Sequence, residues 1–238
     1  MKLAERLKQA EVSCFQVPEV WHTPASDYKL GRVGHAELQR IPYVRGVYVM
    51  EGVDGFPLYQ VNTPIQVTSL SIYGNQWMVD DPLHWIGMQR IAETCKGNVL
   101  VVGLGLGLVV HALGANQCVT HVTVLERDRD VIKLMSPKLV GVSGGTDDRY
   151  WLEIRERDFW TEPDYSGYDV IVWDILTSSE HSRQAQMFIL AAAMNKLKEA
   201  GHKGKTFVWG TRDPKLNPSI KPMNERSRKY MMSLVEAM

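Results

Sequence analysis

The chain has 238 residues, 45% hydrophobic and 23% charged, with 27 Lys and Arg balanced by 27 Asp and Glu. That is apolar material for one full core, or one core and a small accessory domain, and zero formal charge excludes a generally basic nucleic-acid binder. Cys14, Cys95 and Cys118 lie far apart without a CxxC pair, which argues against a disulfide framework and against a zinc or other metal site.

Leu3, Leu7 and Ala10 recur at helical spacing and predict an amphipathic opening helix. Lys2, Glu5, Arg6 and Lys8 interrupt its apolar residues, so it lacks a signal-peptide stretch and a cytoplasmic location is expected. A loop follows near Pro18 to Lys29. From about Val44 to Val79, β-favouring runs alternate with turn signals such as Gly74-Asn75, which predicts two antiparallel hairpins or a small sheet. Asp81-Pro82 is a helix start, and Leu83, Ile86 and Ile91 form the buried stripe of a helix ending near Lys96-Gly97.

Beyond this point strand and helix alternate. Strands are expected at 98 to 103, 121 to 126, 151 to 156, 168 to 174 and 205 to 210, and helices at about 106 to 115, 128 to 138 and 180 to 200. The longest apolar run, Val99 to Val110, is too short to span a bilayer and is broken by glycines, so no membrane association is expected. The predicted fold class is α/β. It comprises a Rossmann-like parallel sheet flanked by helices over 96–238, in strand order 3-2-1-4-5, and a small N-terminal β-hairpin and helical extension over 1–95 that forms a lid or substrate region.

The strongest chemical signal is VLVVGLGLG, an apolar strand running into Gly103, Gly105 and Gly107 and then a helix. Glycine permits the tight turn and lets a ligand approach the backbone. Glu126 ends the next strand, nineteen residues beyond Gly107, where a carboxylate can accept hydrogen bonds from both ribose hydroxyls. The third glycine of a dinucleotide fingerprint would fall on Leu108, so the loop reads GxGxG, which favours S-adenosyl-L-methionine over NAD. Asp158 presents an acceptor beside Phe159 and Trp160, a combination that suits adenine, although an Asp there also caps a turn. Asp174 closes the apolar strand YDVIVW at the end where α/β ligand crevices open, where it could hold a methionine amino group, orient a substrate amine or act as a base, and is the expected catalytic residue. Asp169, at the opposite end, reads as a solvated boundary residue.

On VLVVGLGLG, VTVLERD, ERDFW and GYDVIVWDI, the region from Lys96 to Trp209 resembles the class I S-adenosylmethionine-dependent methyltransferases, and within them the spermidine-synthase-like branch. The resemblance implies that the glycine loop, with Leu104, lies under the methionine and ribose parts. It also implies that Glu126 and its neighbour Arg127 lie at the ribose, that Asp158 meets the adenine amino group with Phe159 beside the ring, and that Asp174 and Ile175 border the methionine end. Spermidine synthases also carry hairpins and a helix ahead of the glycine loop. Their Tyr-His-Glu is replaced here around DDPLHWIGMQ, and DILTSS lacks the second Asp of their DSSDP-like loop. Asp80, Asp81 and His84 are possible replacements, with helix capping the cheaper account of Asp81.

No NPPY-like tetrad follows the fourth strand and no Pro-Cys nucleophile is present, which disfavours nucleobase methylation. Ser178, Ser179 and His181 sit at the crevice rim, where a helix start accounts for the serines as well as substrate contact does. Trp77, Trp85, Trp160 and Trp173 read as core and crevice walls rather than base-stacking platforms. From Lys196 to Tyr230 ten bases face three acids, which is either a solvated face or a rim attracting an anionic substrate. The expected function is methyl transfer from S-adenosyl-L-methionine to a small-molecule substrate, with aminopropyl transfer or non-catalytic cofactor binding as alternatives. No nucleic-acid partner is expected, and an exposed sheet edge would favour a homodimer.

Overall fold

A computed structural model describes residues 14–48, 58–142, 151–175, 183–211 and 215–218. The opening helix expected around Leu3 to Ala10, and Ser178 to His181, lie outside the described residues.

Among the described residues, seven strands precede residue 82: β1 (Cys14–Gln16), β2 (Gly31–Val33), β3 (Ala36–Tyr43), β4 (Gly46–Tyr48), β5 (Leu58–Val61), β6 (Ile65–Ile72) and β7 (Asn75–Val79). They form an antiparallel sheet in order β2-β3-β6-β7 and a small sheet in order β1-β5-β4, in which β1 and β5 run parallel. The region is therefore richer in strand than the hairpins expected from 44 to 79. Residues 36 to 43 place Ala36 and Leu38 inward, but Arg40 and Pro42 follow at the same period and obscure the alternation. Pro42 is tolerated because β2 pairs only with Ala36–Leu38, leaving the rest of β3 on an edge among the described strands. Between Val17 and Gly31 a 3-10 turn, Pro24–Asp27, is capped by Thr23.

Helix α1 (Pro82–Glu93) starts as expected, with Asp81 accepting the N–H of His84 and Pro82 at its first position. The alternating half follows as β8 (Gly97–Val102), α2 (Leu108–Gly114), β9 (Val119–Glu126), α3 (Arg129–Met135), β10 (Leu152–Glu156), β11 (Val170–Trp173), α4 (Arg183–Glu199) and β12 (Lys205–Val208). Its five strands are all parallel in order β10-β9-β8-β11-β12, the 3-2-1-4-5 order expected. On β8, Val99 and Val101 enter one apolar cluster and Leu100 and Val102 the other, so both faces are buried. A buried aliphatic side chain contributes about 1.5–3 kcal/mol, so these four hold the central strand and fix where the glycine loop emerges. Asp169 is not merely solvated. It accepts the N–H of Asn98 at 2.8 Å and closes the end of the sheet remote from that loop.

The extension docks onto the parallel sheet's ligand-side end. The Gly34-His35 turn inserts against α3, where His35 Nε2 lies 2.6 Å from Asp128 Oδ2 and Nδ1 lies 3.0 Å from Asp130 Oδ2. The imidazole also stacks on Tyr73, with centroids 4.1 Å apart. Burial alone would raise the Asp128 carboxyl, but hydrogen bonds from His35 and from the N–H groups of Val131 and Asp130 outweigh it and hold Asp128 below the usual range. A depressed carboxyl contributes stability above its unfolded value and loses it as pH falls through the folded one. His35→Gln should therefore lower the Tm, with the gap from the native protein present above about pH 4 and closing below it. Thermal unfolding across pH 2.5 to 7 checks this; a gap that does not vary with pH rejects the clamp.

Candidate functional site

The loop after β8 has the backbone only glycine takes without strain: φ is +96° at Gly103, +49° at Gly105 and +68° at Gly107. A Cβ on Gly103 would lie 2.7 Å from the carbonyl oxygen of Asp174 and 2.8 Å from Ile175 Cγ2. The turns leaving β8 and β11 thus cross in backbone contact, with Asp174 and Ile175 directly against the first glycine. The pairing of β11 with β8 continues to this point, since Asp174 N–H donates to Val102 at 2.9 Å.

Glu126, at the end of β9, is tied to the same loop. Its Oε2 accepts the Leu104 N–H at 2.9 Å and its Oε1 accepts the Asp128 N–H at 2.8 Å. Burial pushes its carboxyl up, and these N–H donors, with that of Arg127, partly offset the rise. A carboxylate has about four lone-pair sites, so Glu126 is held by backbone donors, with no ion pair to it among the described residues, and keeps acceptor capacity for a ligand.

Asp158 caps the short turn Phe159–Thr161 through the Trp160 N–H at 2.9 Å, and its other oxygen lies 4.0 Å from Arg127 Nη1. With Arg127 mostly exposed, that pair contributes little by itself. Phe159, expected beside a flat ligand, is buried in the structure. Its ring is 3% exposed and packs on Tyr165 and Trp173 in the second apolar cluster, because the turn directs it inward under β11. Trp160, 42% exposed, carries the accessible ring of the pair.

The expected site residues fall into three connected groups at one end of the parallel sheet: Gly103 with Asp174 and Ile175, Leu104 with Glu126, and Arg127 with Asp158. Leu104 is buried and contributes its N–H rather than its side chain. Gly105 and Gly107 face protein, where a Cβ would meet Met78 and Leu139 respectively.

Sequence reasoning missed the extension's part in this arrangement. The Leu106 N–H donates to Met78 Sδ at 3.1 Å, and Tyr28 OH donates to the Leu106 carbonyl at 3.0 Å. A lone Met after β6 and a Tyr in a loop carry no pattern that marks such contacts. Of the acidic pair before α1, Asp80 is fully buried and accepts from Thr23 and Thr68, a structural role. Asp81 caps α1 and receives Tyr59 OH at 3.2 Å. His84 alone of the three reaches the crevice: its Nε2 is 3.8 Å from Asp174 Oδ2, with side chains 12% and 7% exposed, and its ring stacks on Trp209 at 4.8 Å.

The five-stranded order, the glycine turn after the first strand and the carboxylate closing the second define a Rossmann-like α/β fold. No family model matches the chain. In sequence it is 26% identical over 152 residues to polyamine aminopropyltransferase 2 of Hyperthermus butylicus, covering 63% of this chain and 48% of that protein, so it spans about half of the curated relative. Among solved structures it is similar to the 23S rRNA methyltransferase ErmE (21% identical, 54% of this chain and 44% of that one, TM-score 0.38). Spermidine synthase from Thermotoga maritima is a second (19%, 45% and 42%, TM-score 0.34). At these scores the fold assignment rests on the strand order and the loop themselves.

Proposed function

We propose that the chain binds S-adenosyl-L-methionine and transfers its methyl group to a small-molecule acceptor. The observation that carries this is the Leu104 N–H bond to Glu126 Oε2, which locks a three-glycine turn to a carboxylate with no ion pair among the described residues, at the mouth of the sheet. Such a carboxylate fits a ribose diol, whose two hydroxyls supply the donors that an anionic group could not. Leu108, where a dinucleotide loop would carry its third glycine, is 2% exposed and packed in the core. Helix α2 has only seven residues, a weak dipole for a pyrophosphate, and the loop contains no Lys or Arg.

The bound sulfonium supplies an electrophilic methyl carbon. The chain's residues hold and orient: Glu126 grips the sugar, Asp158 accepts from the adenine amino group, and Asp174 with Ile175 borders the reacting end. Alignment and exclusion of water account for most of the rate in such a displacement, and Asp174 orients the acceptor. The described part of the extension packs on the glycine loop through Tyr28 and Met78, which supports a role for it in setting the acceptor.

Aminopropyl transfer is the second reading, favoured by the name of the relative from Hyperthermus butylicus. Calorimetry with S-adenosylmethionine, its decarboxylated form and NAD separates the readings. S-adenosylmethionine should bind at least tenfold tighter than the other two. Tighter binding of the decarboxylated form would favour aminopropyl transfer, and binding of NAD alone would reject both.

A further inference from the structure

We infer that His84 is the base that takes the acceptor's proton, working with Asp174 as a buried dyad; the inference rests on the transferase reading above. Among the described residues, His84 Nε2 is a buried nitrogen without a hydrogen-bond partner. Leaving such a group unpaired costs about 1–3 kcal/mol, and a catalytic role is one explanation for a native structure's retaining it. Asp174 Oδ2 lies 3.8 Å away, too far for a direct hydrogen bond, and both side chains are largely buried. An acceptor atom seated between the two groups would lie within reach of a base.

The ring is positioned from behind. Trp209, which follows β12, stacks on His84, and a Cβ on Gly87, one turn further along α1, would collide with the Trp209 ring. Glycine at 87 thus lets the indole close onto the helix and set the imidazole plane. Trp209 is itself anchored by its N–H to the Trp173 carbonyl at 3.0 Å, the residue before Asp174. One strand pair, β11 with β12, presents both the carboxylate and the indole that aims the histidine.

The chemistry follows. The acceptor carries a nucleophilic N–H, O–H or S–H whose lone pair forms a bond to the methyl carbon as the carbon–sulfur bond breaks. The breaking bond's electron pair goes to sulfur, giving a neutral thioether, and the acceptor's proton passes to His84 Nε2. The resulting imidazolium is stabilised by Asp174, so the acceptor class is a nucleophile with a proton to lose.

An acceptor-free test is affinity labelling with 5′-chloroacetamido-5′-deoxyadenosine, whose electrophilic carbon lies near the place of the transferred methyl. The His84 Nε2 lone pair should displace chloride, giving an adduct that peptide mass spectrometry maps to His84. Asp174→Asn should slow that labelling about tenfold, and His84→Gln should bind S-adenosylmethionine in calorimetry yet form no adduct at 84. Native protein that binds S-adenosylmethionine but is labelled elsewhere, or not at all, overturns the assignment of His84. Native protein that fails to bind S-adenosylmethionine instead overturns the cofactor reading beneath it.

Discussion

Gly103→Ala should abolish measurable S-adenosylmethionine binding and lower the Tm by roughly 10 °C. Two costs combine. The left-handed φ of +96° is strained for any residue with a Cβ, and the new methyl would meet the Asp174 carbonyl oxygen at 2.7 Å, backbone that cannot swing aside. Together they cost about 3 kcal/mol, and relief requires parting the turns after β8 and β11 that bring Asp174 to the crevice. Gly141→Ala is the control, because φ there is +88° with nothing within 4 Å of the added Cβ; it should lose only the conformational part, about 1 kcal/mol. Calorimetry and thermal unfolding of the two variants decide the matter. If Gly103→Ala behaves like Gly141→Ala, the crossing of the turns is irrelevant to the ligand.

Glu126→Ala should weaken S-adenosylmethionine binding at least 100-fold. Each lost charge-assisted hydrogen bond to a ribose hydroxyl is worth about 1.5–3 kcal/mol, and the Leu104 N–H would lose its acceptor as well. Glu126→Gln keeps the shape and one acceptor, so its loss should be smaller, about tenfold. The native pH dependence has a defined sign. Because burial raises the Glu126 carboxyl, the folded protein takes up that proton at a higher pH than the unfolded chain does. Acidification therefore costs no stability through this group, but it removes the acceptor. Affinity should accordingly begin to fall above the ordinary glutamate value near pH 4.3, before unfolding sets in. Titration calorimetry between pH 5 and 8 tests this, and an affinity that is flat across the range and unchanged in Glu126→Gln would remove Glu126 from the site.

The parallel sheet was legible because its strands are apolar on both faces and end in residues that must stop them. VLVV stops at Gly103, VTVL at Glu126 and VIVW at Asp174. Helix starts at Asp81 and Asp128 were equally readable, since each carboxylate caps its own helix. The extension was less so. Strands β2 and β3 lean on polar residues whose partners are remote in sequence: Arg40 reaches Ala25, Ser26 and Thr68, and His35 reaches Asp128 and Asp130. No local period encodes such pairings. At the site, residue types and spacing anticipated that Glu126 and Asp174 close their strands at the same end of the sheet, whereas sequence does not reveal which of the adjacent rings Phe159 and Trp160 turns inward.

Met78 reaches from β7 to within contact of the Gly105 position and accepts the Leu106 N–H. The curvature of the loop is therefore moulded partly by an element outside the parallel sheet. A bulkier residue at 105 becomes admissible only if position 78 shrinks, so their effects are non-additive. Over generations, the glycine loop and the strand packed on it are constrained to diverge together, and grafting this strand onto another parallel sheet would have to carry the matching hinge along with it.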